Sequence, residues 1–417
     1  MRVVYARSRT KGRYLTVRQE TSLPVPLEPS IDDTLSQRFR PPGPSRARTN
    51  DDGAMTTESD DTRPGEQRPD PGSSVLGRPT LQQVAALAGV SRATASRVVN
   101  GGAGVRAHVQ AKVRTAVEEL GYVPNPAART LMTRRHDAVA VVVAEPESRV
   151  FSDPFFARQL RGIGRELSVA GVQLVLLLVT EAGDYAQVGR YLAAGHVDGA
   201  LIFSLHRDNP LPEVVDRLGL PVVYGGRPEW DGPGSIPLYV DTDNRSGARA
   251  AIEHLVERGR RRIAVITGPL DQTSSVDRLD GFRDLAPDPD PALVAEGDFT
   301  APGGRRAMEQ LLDARPDLDA VFACSDLMAA GALAVLAERG LKVPQDVAVV
   351  GFDDGDTAAQ WASPPLTTVR QDIEGMGRLM AKLLLTRLQL SFDNRTDELA
   401  ALTPVVTPTE LIVRRSS

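Results

Sequence analysis

The sequence predicts a small all-α helix-turn-helix head, a short linking helix, and an α/β core of two doubly wound lobes. Three observations carry this. Apolar positions between residues 80 and 120 recur at helical spacing around a Gly-containing turn. From residue 138 onward, β-branched runs alternate with helical stretches, and there are too many strands for one sheet. Before both lies a stretch of Pro, Gly, Asp and Arg with almost nothing to bury.

That stretch, residues 1–77, holds 12 Lys and Arg against 11 Asp and Glu and is expected to be a disordered extension. Met55 lies inside it, and residues 1–54 are expected to be a mis-called start or a dispensable tail. The head spans residues 78–123. Thr80 is placed to cap a first helix carrying Leu81, Val84, Ala85 and Ala88. Gly89 turns the chain, and Ser91 caps a second helix that runs to about Asn100. After "GGAGVRA", a third helix carries Val109, Val113, Ala116, Val117 and Leu120 and stops at Gly121. Residues 124–137 form the linker, where Pro126 opens a short fourth helix.

The second helix, "SRATASRVVN", has an unusual face. At 100° per residue Arg92, Ala93, Ser96, Arg97 and Asn100 fall within about 140° of one another, with Thr94, Ala95 and Val98 opposite. The second set packs; the first is free to enter a major groove. Arg grips guanine O6 and N7 with two hydrogen bonds, and a small residue such as Ala93 approaches a thymine methyl. Thr80, Ser91 and Asn100 suit phosphate contact from helix ends. The plainer alternative is a solvated face. Charge argues against it: residues 78–135 carry nine basic and two acidic residues, a net +7, while residues 136–417 carry −13 of the chain's total of −5. "GAGVRA" satisfies a loose dinucleotide pattern but lies between helices and is read as a connecting loop.

Strands are expected at "AVAVVV", "VQLVLLLV", "GALIF", "PVVY", "RIAVI", "AVFA" and "VAVVGF", with helices at 155–170, 244–259, 302–313 and 326–339. Continuous apolar strands separated by helices mean parallel sheets covered on both faces.

These residues carry a resemblance. "TLQQVAALAGVSRATASRVVN" followed by "YVPNPAARTLM" resembles the DNA-binding head of the lactose/galactose repressor (LacI/GalR) family, and the likeness continues through "FSDPFF", "DRLDGF", "CSDLMAAG", "VAVVGFDD" and "TPTELIVRRSS". It implies base reading by Arg92, Ala93 and Arg97. It also implies a hinge helix in which Leu131 wedges into a minor groove, with Ala128 beside it and Asn125 and Arg129 among the DNA contacts. Two positions depart from the pattern. Ala95 stands where a Val is usual, and Arg106, a further candidate phosphate contact, stands where a small hydroxyl residue is usual.

The core so implied is periplasmic-binding-protein-like, over residues 138–417. Lobe one covers about 138–240 and 371–402, and lobe two about 241–370 and 403–415. Its cleft is expected to bind a small-molecule effector, most simply a carbohydrate, through Asp153, Phe155, Arg278, Ser325, Asp326 and Asp353, with Phe155 or Trp361 covering a sugar face. Structural alternatives stand beside these: Asp326 caps the following helix as readily, and Arg278 pairs with Asp280.

The expectation is therefore a cytoplasmic, homodimeric transcriptional repressor. It would place two heads on a pseudo-palindromic operator in double-stranded DNA. No cofactor and no metal are expected, since five scattered His and one Cys give no zinc spacing. The single Cys324 rules out an intrachain disulfide. No apolar run approaches the roughly 20 residues of a membrane helix, and no secretion signal is read. A transporter's solute-binding protein would show the reverse: a secretion signal and no basic head. A catalytic reading finds no nucleophile elbow, P-loop or zinc-protease motif.

Overall fold

The structure is a computed structural model. It describes residues 79–100, 104–123, 135–181, 183–229, 237–286, 290–355, 359 and 362–417. Asn125, Ala128, Arg129, Leu131 and Trp361 lie outside the described residues.

In the head, α1 (Leu81–Ala88) starts with a reciprocal cap. The Thr80 hydroxyl accepts from the Gln83 amide, and the Gln83 side chain accepts from the Thr80 amide at 2.8 Å. Gly89 ends the helix in the left-handed region at φ 64°. Ser91 caps α2 (Arg92–Val99), accepting from the Thr94 amide at 3.1 Å. Behind them lies α3 (Ala107–Leu120). Val84, Ala85, Ala88, Ala95, Val113 and Ala116 form the buried centre, and Val98, Val117 and Leu120 pack around it. This core is small because four of its six buried residues are Ala. Its stability therefore leans on the caps, each worth roughly 1 kcal/mol.

The core begins with β1 (Ala138–Val143), then α4 (Glu147–Ser152), α5 (Pro154–Val169), β2 (Gln173–Leu178), α6 (Asp184–Ala193), β3 (Gly199–Phe203), α7 (Leu211–Leu218), β4 (Val222–Gly225) and β5 (Tyr239–Thr242). The chain then enters α8 (Asn244–Glu257), β6 (Ile263–Thr267), α9 (Thr273–Arg283), β7 (Val294–Glu296), α10 (Ala301–Ala314), β8 (Ala320–Ala323), α11 (Asp326–Glu338), β9 (Ala348–Asp353) and β10 (Thr367–Arg370). It closes with α12 (Ile373–Phe392), α13 (Thr396–Ala400), β11 (Val405–Thr407) and β12 (Glu410–Ile412).

Two sheets result, ordered β2-β1-β3-β4-β5-β11 and β7-β6-β8-β9-β10-β12. Pairing is parallel throughout except β10 with β12. The run "AVAVVV" is buried on both faces, which is why it does not alternate. Val139, Val141 and Val143 face Leu201, Phe203 and Val223 beneath α5 and α12. Ala138, Ala140 and Val142 face the opposite side with Ile202 and Tyr224.

The chain passes between lobes three times. After β5 it leaves the first sheet for α8, and after β10 it returns through α12, close to the expected points. The third passage differs: Val405 pairs with Val240 in the first sheet, and Glu410 with Arg370 in the second. The chain therefore crosses between residues 407 and 410, not near 402, and β11 belongs to lobe one. The cause is local. "PVVTPTELI" reads as one apolar ending, but its two short strands join different sheets.

Candidate functional site

The face read on α2 exists as geometry. Arg92, Ala93, Arg97 and Asn100 are exposed, Ser96 is half-buried, and Ala95 is fully buried. Arg97 stands in the last turn of the helix, and Asn100 follows as its C-cap, with its amide donating to Ser96 Oγ at 3.3 Å. The hydroxyls of Thr80 and Ser91 serve as caps. Arg106 precedes α3 without a side-chain cap bond, and its guanidinium is exposed.

The second site lies where both sheets change winding direction. In the order 2-1-3-4-5 the switch falls between the first and third strands, and a crevice opens at their carboxyl ends. Here those ends are β1 with β3, and β6 with β8. A cleft of about 820 Å³, part of it open to solvent, is lined from lobe one by Arg149, Asp153, Phe155, Gln159, Ser204 and Arg227. From lobe two it is lined by Gln272, Thr273, Arg278, Phe299, Ser325 and Asp353.

Five of the six predicted effector residues meet there: Asp153, Phe155, Arg278, Ser325 and Asp353. Asp326 does not. Ser325 takes the N-cap of α11, accepting from the Met328 amide at 3.2 Å, so Asp326 falls inside the first turn. Its carboxylate turns inward, accepting from Thr368 Oγ1 at 2.5 Å and the Gly355 amide at 2.7 Å. It ties β10 and the loop after β9 to α11.

Arg278 is 5 % exposed and is held on all sides. Its Nε donates to Asn244 Oδ1 at 2.9 Å, Nη1 donates to the Cys324 carbonyl at 2.5 Å, and its guanidinium lies 3.7 Å from the Phe352 ring centroid. Asp353 stands 3.8 Å from Nη1. The partner expected as the alternative, Asp280, takes Arg283 instead. Burial pushes the Asp353 carboxyl up to about 6, against the pull of Arg278 and with a further push from Asp153. Burial also raises Asp153, although the Phe155 amide and Arg149 oppose it.

Sequence reasoning missed several lining residues. Gln159 is 1 % exposed, yet among the described residues its Oε1 has no hydrogen-bond partner, and the buried Nε of Arg149 has none either. Buried orphans of this kind cost free energy unless a ligand or water meets them. Arg149 is fixed by Glu145 at 2.7 Å, and the Gln272 amide reaches Glu145 across the cleft at 3.0 Å. Burial disfavours the Glu145 anion, but His206, Arg149 and Ser204 outweigh it and hold the carboxyl below its usual range. Three lining residues other than Gly have positive φ: Ser204 at 61°, Phe299 at 61° and Asp353 at 111°. Such conformations cost of order 1–3 kcal/mol each and cluster at functional sites. No local sequence signal marked them. Position at a switch point is a property of strand order.

Among the described residues, the three Asp side chains that line the cleft, Asp153, Asp241 and Asp353, face three Arg, Arg149, Arg227 and Arg278. A charge-balanced wall with paired donors and acceptors and the rings of Phe155 and Phe299 suits a neutral polyhydroxylated ligand rather than an ion. Among the described residues, no helix is long and apolar enough to cross a membrane.

Residues 80–125 match the profile of bacterial regulatory proteins of the lacI family, and residues 252–417 match a periplasmic binding protein-like domain. The chain is 49% identical over 343 residues to the HTH-type transcriptional regulator CelR of Thermobifida fusca, covering 81% of this chain and 98% of that protein. It superposes on a solved CelR–cellobiose complex with TM-score 0.63 at 48% identity, covering 82% of this chain and all of that one. A lac repressor dimer bound to operator and the anti-inducer ONPF superposes with TM-score 0.70 at 27% identity, over 82% of this chain and 99% of that one. With a helix-turn-helix head, a two-lobed core and relatives matched over nearly their whole length, the chain belongs to the lacI family of bacterial regulatory proteins and is a DNA-binding transcriptional regulator, not an enzyme.

Proposed function

We propose that the chain is a cytoplasmic, homodimeric repressor whose affinity for a pseudo-palindromic operator is set by a sugar held between its lobes. Cellobiose is the first candidate. The observation that supports a sugar is the cleft itself: balanced charge, two flanking aromatic rings, and the unpartnered Arg149 Nε donor and Gln159 Oε1 acceptor that hydroxyl groups can meet. The relative at 49% identity is named for the regulator seen with cellobiose. In this reading Asp153, Phe155, Arg278, Ser325 and Asp353 contact the effector, and Arg92, Ala93 and Arg97 read bases. Thr80, Ser91, Ser96, Asn100 and Arg106 touch the duplex around them. In the hinge, Leu131 wedges into the minor groove with Ala128 beside it, Arg129 clamps a phosphate, and Asn125 is a further DNA contact.

Calorimetry with cellobiose tests the effector half. The wild-type chain is expected to bind it and to change its operator affinity on binding. Arg278→Ala is expected to lose sugar binding while the sugar-free variant keeps its operator affinity. A wild-type chain that ignores cellobiose and other neutral disaccharides overturns the sugar reading.

A further inference from the structure

The DNA-binding head and the cleft are joined by covalent chain through residues 135–137, and the way these residues are held has a bearing on signalling. Arg135 lays its guanidinium 4.2 Å from the Phe392 ring centroid and donates to Gln389 at 3.4 Å. Both partners sit in the last turn of α12. The carboxylate of Asp198 accepts from two successive amides, His136 at 2.7 Å and Asp137 at 2.8 Å. Asp137 is thereby held at φ 52°, a conformation L-residues adopt reluctantly. The exit of the linker is thus clamped rather than trailing.

The other end of α12 lies at the cleft. Gln371, just before the helix, lines the cleft and donates to Asp353 Oδ1 at 2.6 Å, while its own Oε1 accepts from Thr242 at 2.8 Å. Met376, in the first turns, also lines the cleft. A helix of 20 residues spans about 30 Å, so one element touches both the ligand cavity and the linker.

That element is stiff. A Cβ on Gly162 of α5 would lie 2.1 Å from the Glu374 carbonyl, and one on Gly377 would lie 2.3 Å from the Gln159 carbonyl, so the two backbones touch. Glu374 is also paired with Arg165, Arg378 and Arg161. A rod packed so closely moves as a body, since tight cores are bistable rather than continuously deformable.

We infer that α12 is the rod that carries the state of the cleft to the DNA-binding head, and that Phe392 and Arg135 form its output contact. Gln371 is the input: a ligand that engages Asp353 pulls on the residue that begins the rod. Displacement of the far end then shifts Arg135 and with it the core end of the linker. This goes beyond the effector reading and needs no particular sugar.

The test is a double-mutant cycle on full-chain protein. Affinity is read by fluorescence anisotropy on a duplex selected in vitro for tight binding by the wild-type chain. Distant, independent sites add within about twofold in affinity. Gln371→Ala is expected to change affinity by at least about threefold in the wild-type background, and to have no effect in the Phe392→Ala background. Phe392→Trp, which keeps a ring face for Arg135, restores the effect. Arg135→Ala cuts the same contact from the other side and removes it again. Melting temperatures check that each variant is folded. The inference is overturned if Gln371→Ala acts equally with and without Phe392, if it has no effect anywhere, or if Phe392→Trp fails to restore coupling. No sugar enters the measurement, so failure of cellobiose to bind would overturn the effector reading alone.

Discussion

At the scale of single residues, two side chains on the described surfaces make opposite demands on their surroundings. Arg97 is exposed and free to seek a base edge. Arg97→Ala is expected to cost roughly 1–3 kcal/mol on the selected operator and to relax preference at one base pair per half-site. An equal loss on random duplex would reduce Arg97 to a phosphate contact. Asp353, by contrast, pays for its place. Its folded carboxyl titrates near 6, above the ordinary value of 3.8, because burial disfavours the anion. A raised pKa means that the folded state binds the proton more tightly. The stabilisation is therefore full below about pH 4 and is lost as pH rises through about 6. Its neighbour Asp326 is raised by burial and by Asp353's own charge, so the two titrate together. The melting temperature of wild type minus that of Asp353→Asn is expected to fall between pH 4 and pH 7. A difference that stays flat with pH would show that Asp353 titrates normally.

At the scale of elements, what was readable in the sequence follows unbroken apolar runs: "VQLVLLLV" was read although its strand is only partly covered, while the covered but polar-interrupted strands "YVDT" and "TTVR" were not. "AVAVVV", "GALIF", "AVFA" and "RIAVI" announced themselves because both faces of each strand are covered. The edge strands "VAE", "VVT" and "ELI" did not, being three residues long and only partly covered. In the head, caps and turn residues were legible because they act on their own backbone, as Thr80, Gly89, Ser91 and Gly121 do. The cleft was half legible. Motif likeness found Arg278 and Asp353, while Gln159, Arg149, Gln272 and Phe299 become site residues through strand order alone. Phe299 also depends on an element it does not belong to. A Cβ on Gly268, at the end of β6, would lie 2.1 Å from the ring. Gly268→Ala is expected to push the ring into the cleft and weaken sugar binding at least tenfold, about 1.4 kcal/mol. The head is expected to keep its sugar-free operator affinity. Unchanged calorimetry would show that the ring is dispensable.

At the scale of the whole molecule, charge divides the work. Residues 78–135 carry +7 and residues 136–417 carry −13, so DNA attracts one part and repels the other. The triple passage between lobes has a consequence for how the protein is made. The inner face of the first sheet, with Val139, Val141, Leu201 and Val223, is roofed partly by Met376, Met380 and Leu384 of α12. These residues leave the ribosome about 140 residues after β5. At roughly 5–20 residues per second, that apolar face stays unroofed for about 7–28 s. The edge partner of β5 arrives later still. A nascent chain of this shape cannot finish its first lobe before its second has emerged. It offers chaperones, and other nascent chains, an open sheet in the interval. Both lobes close together, within the last few dozen residues of synthesis.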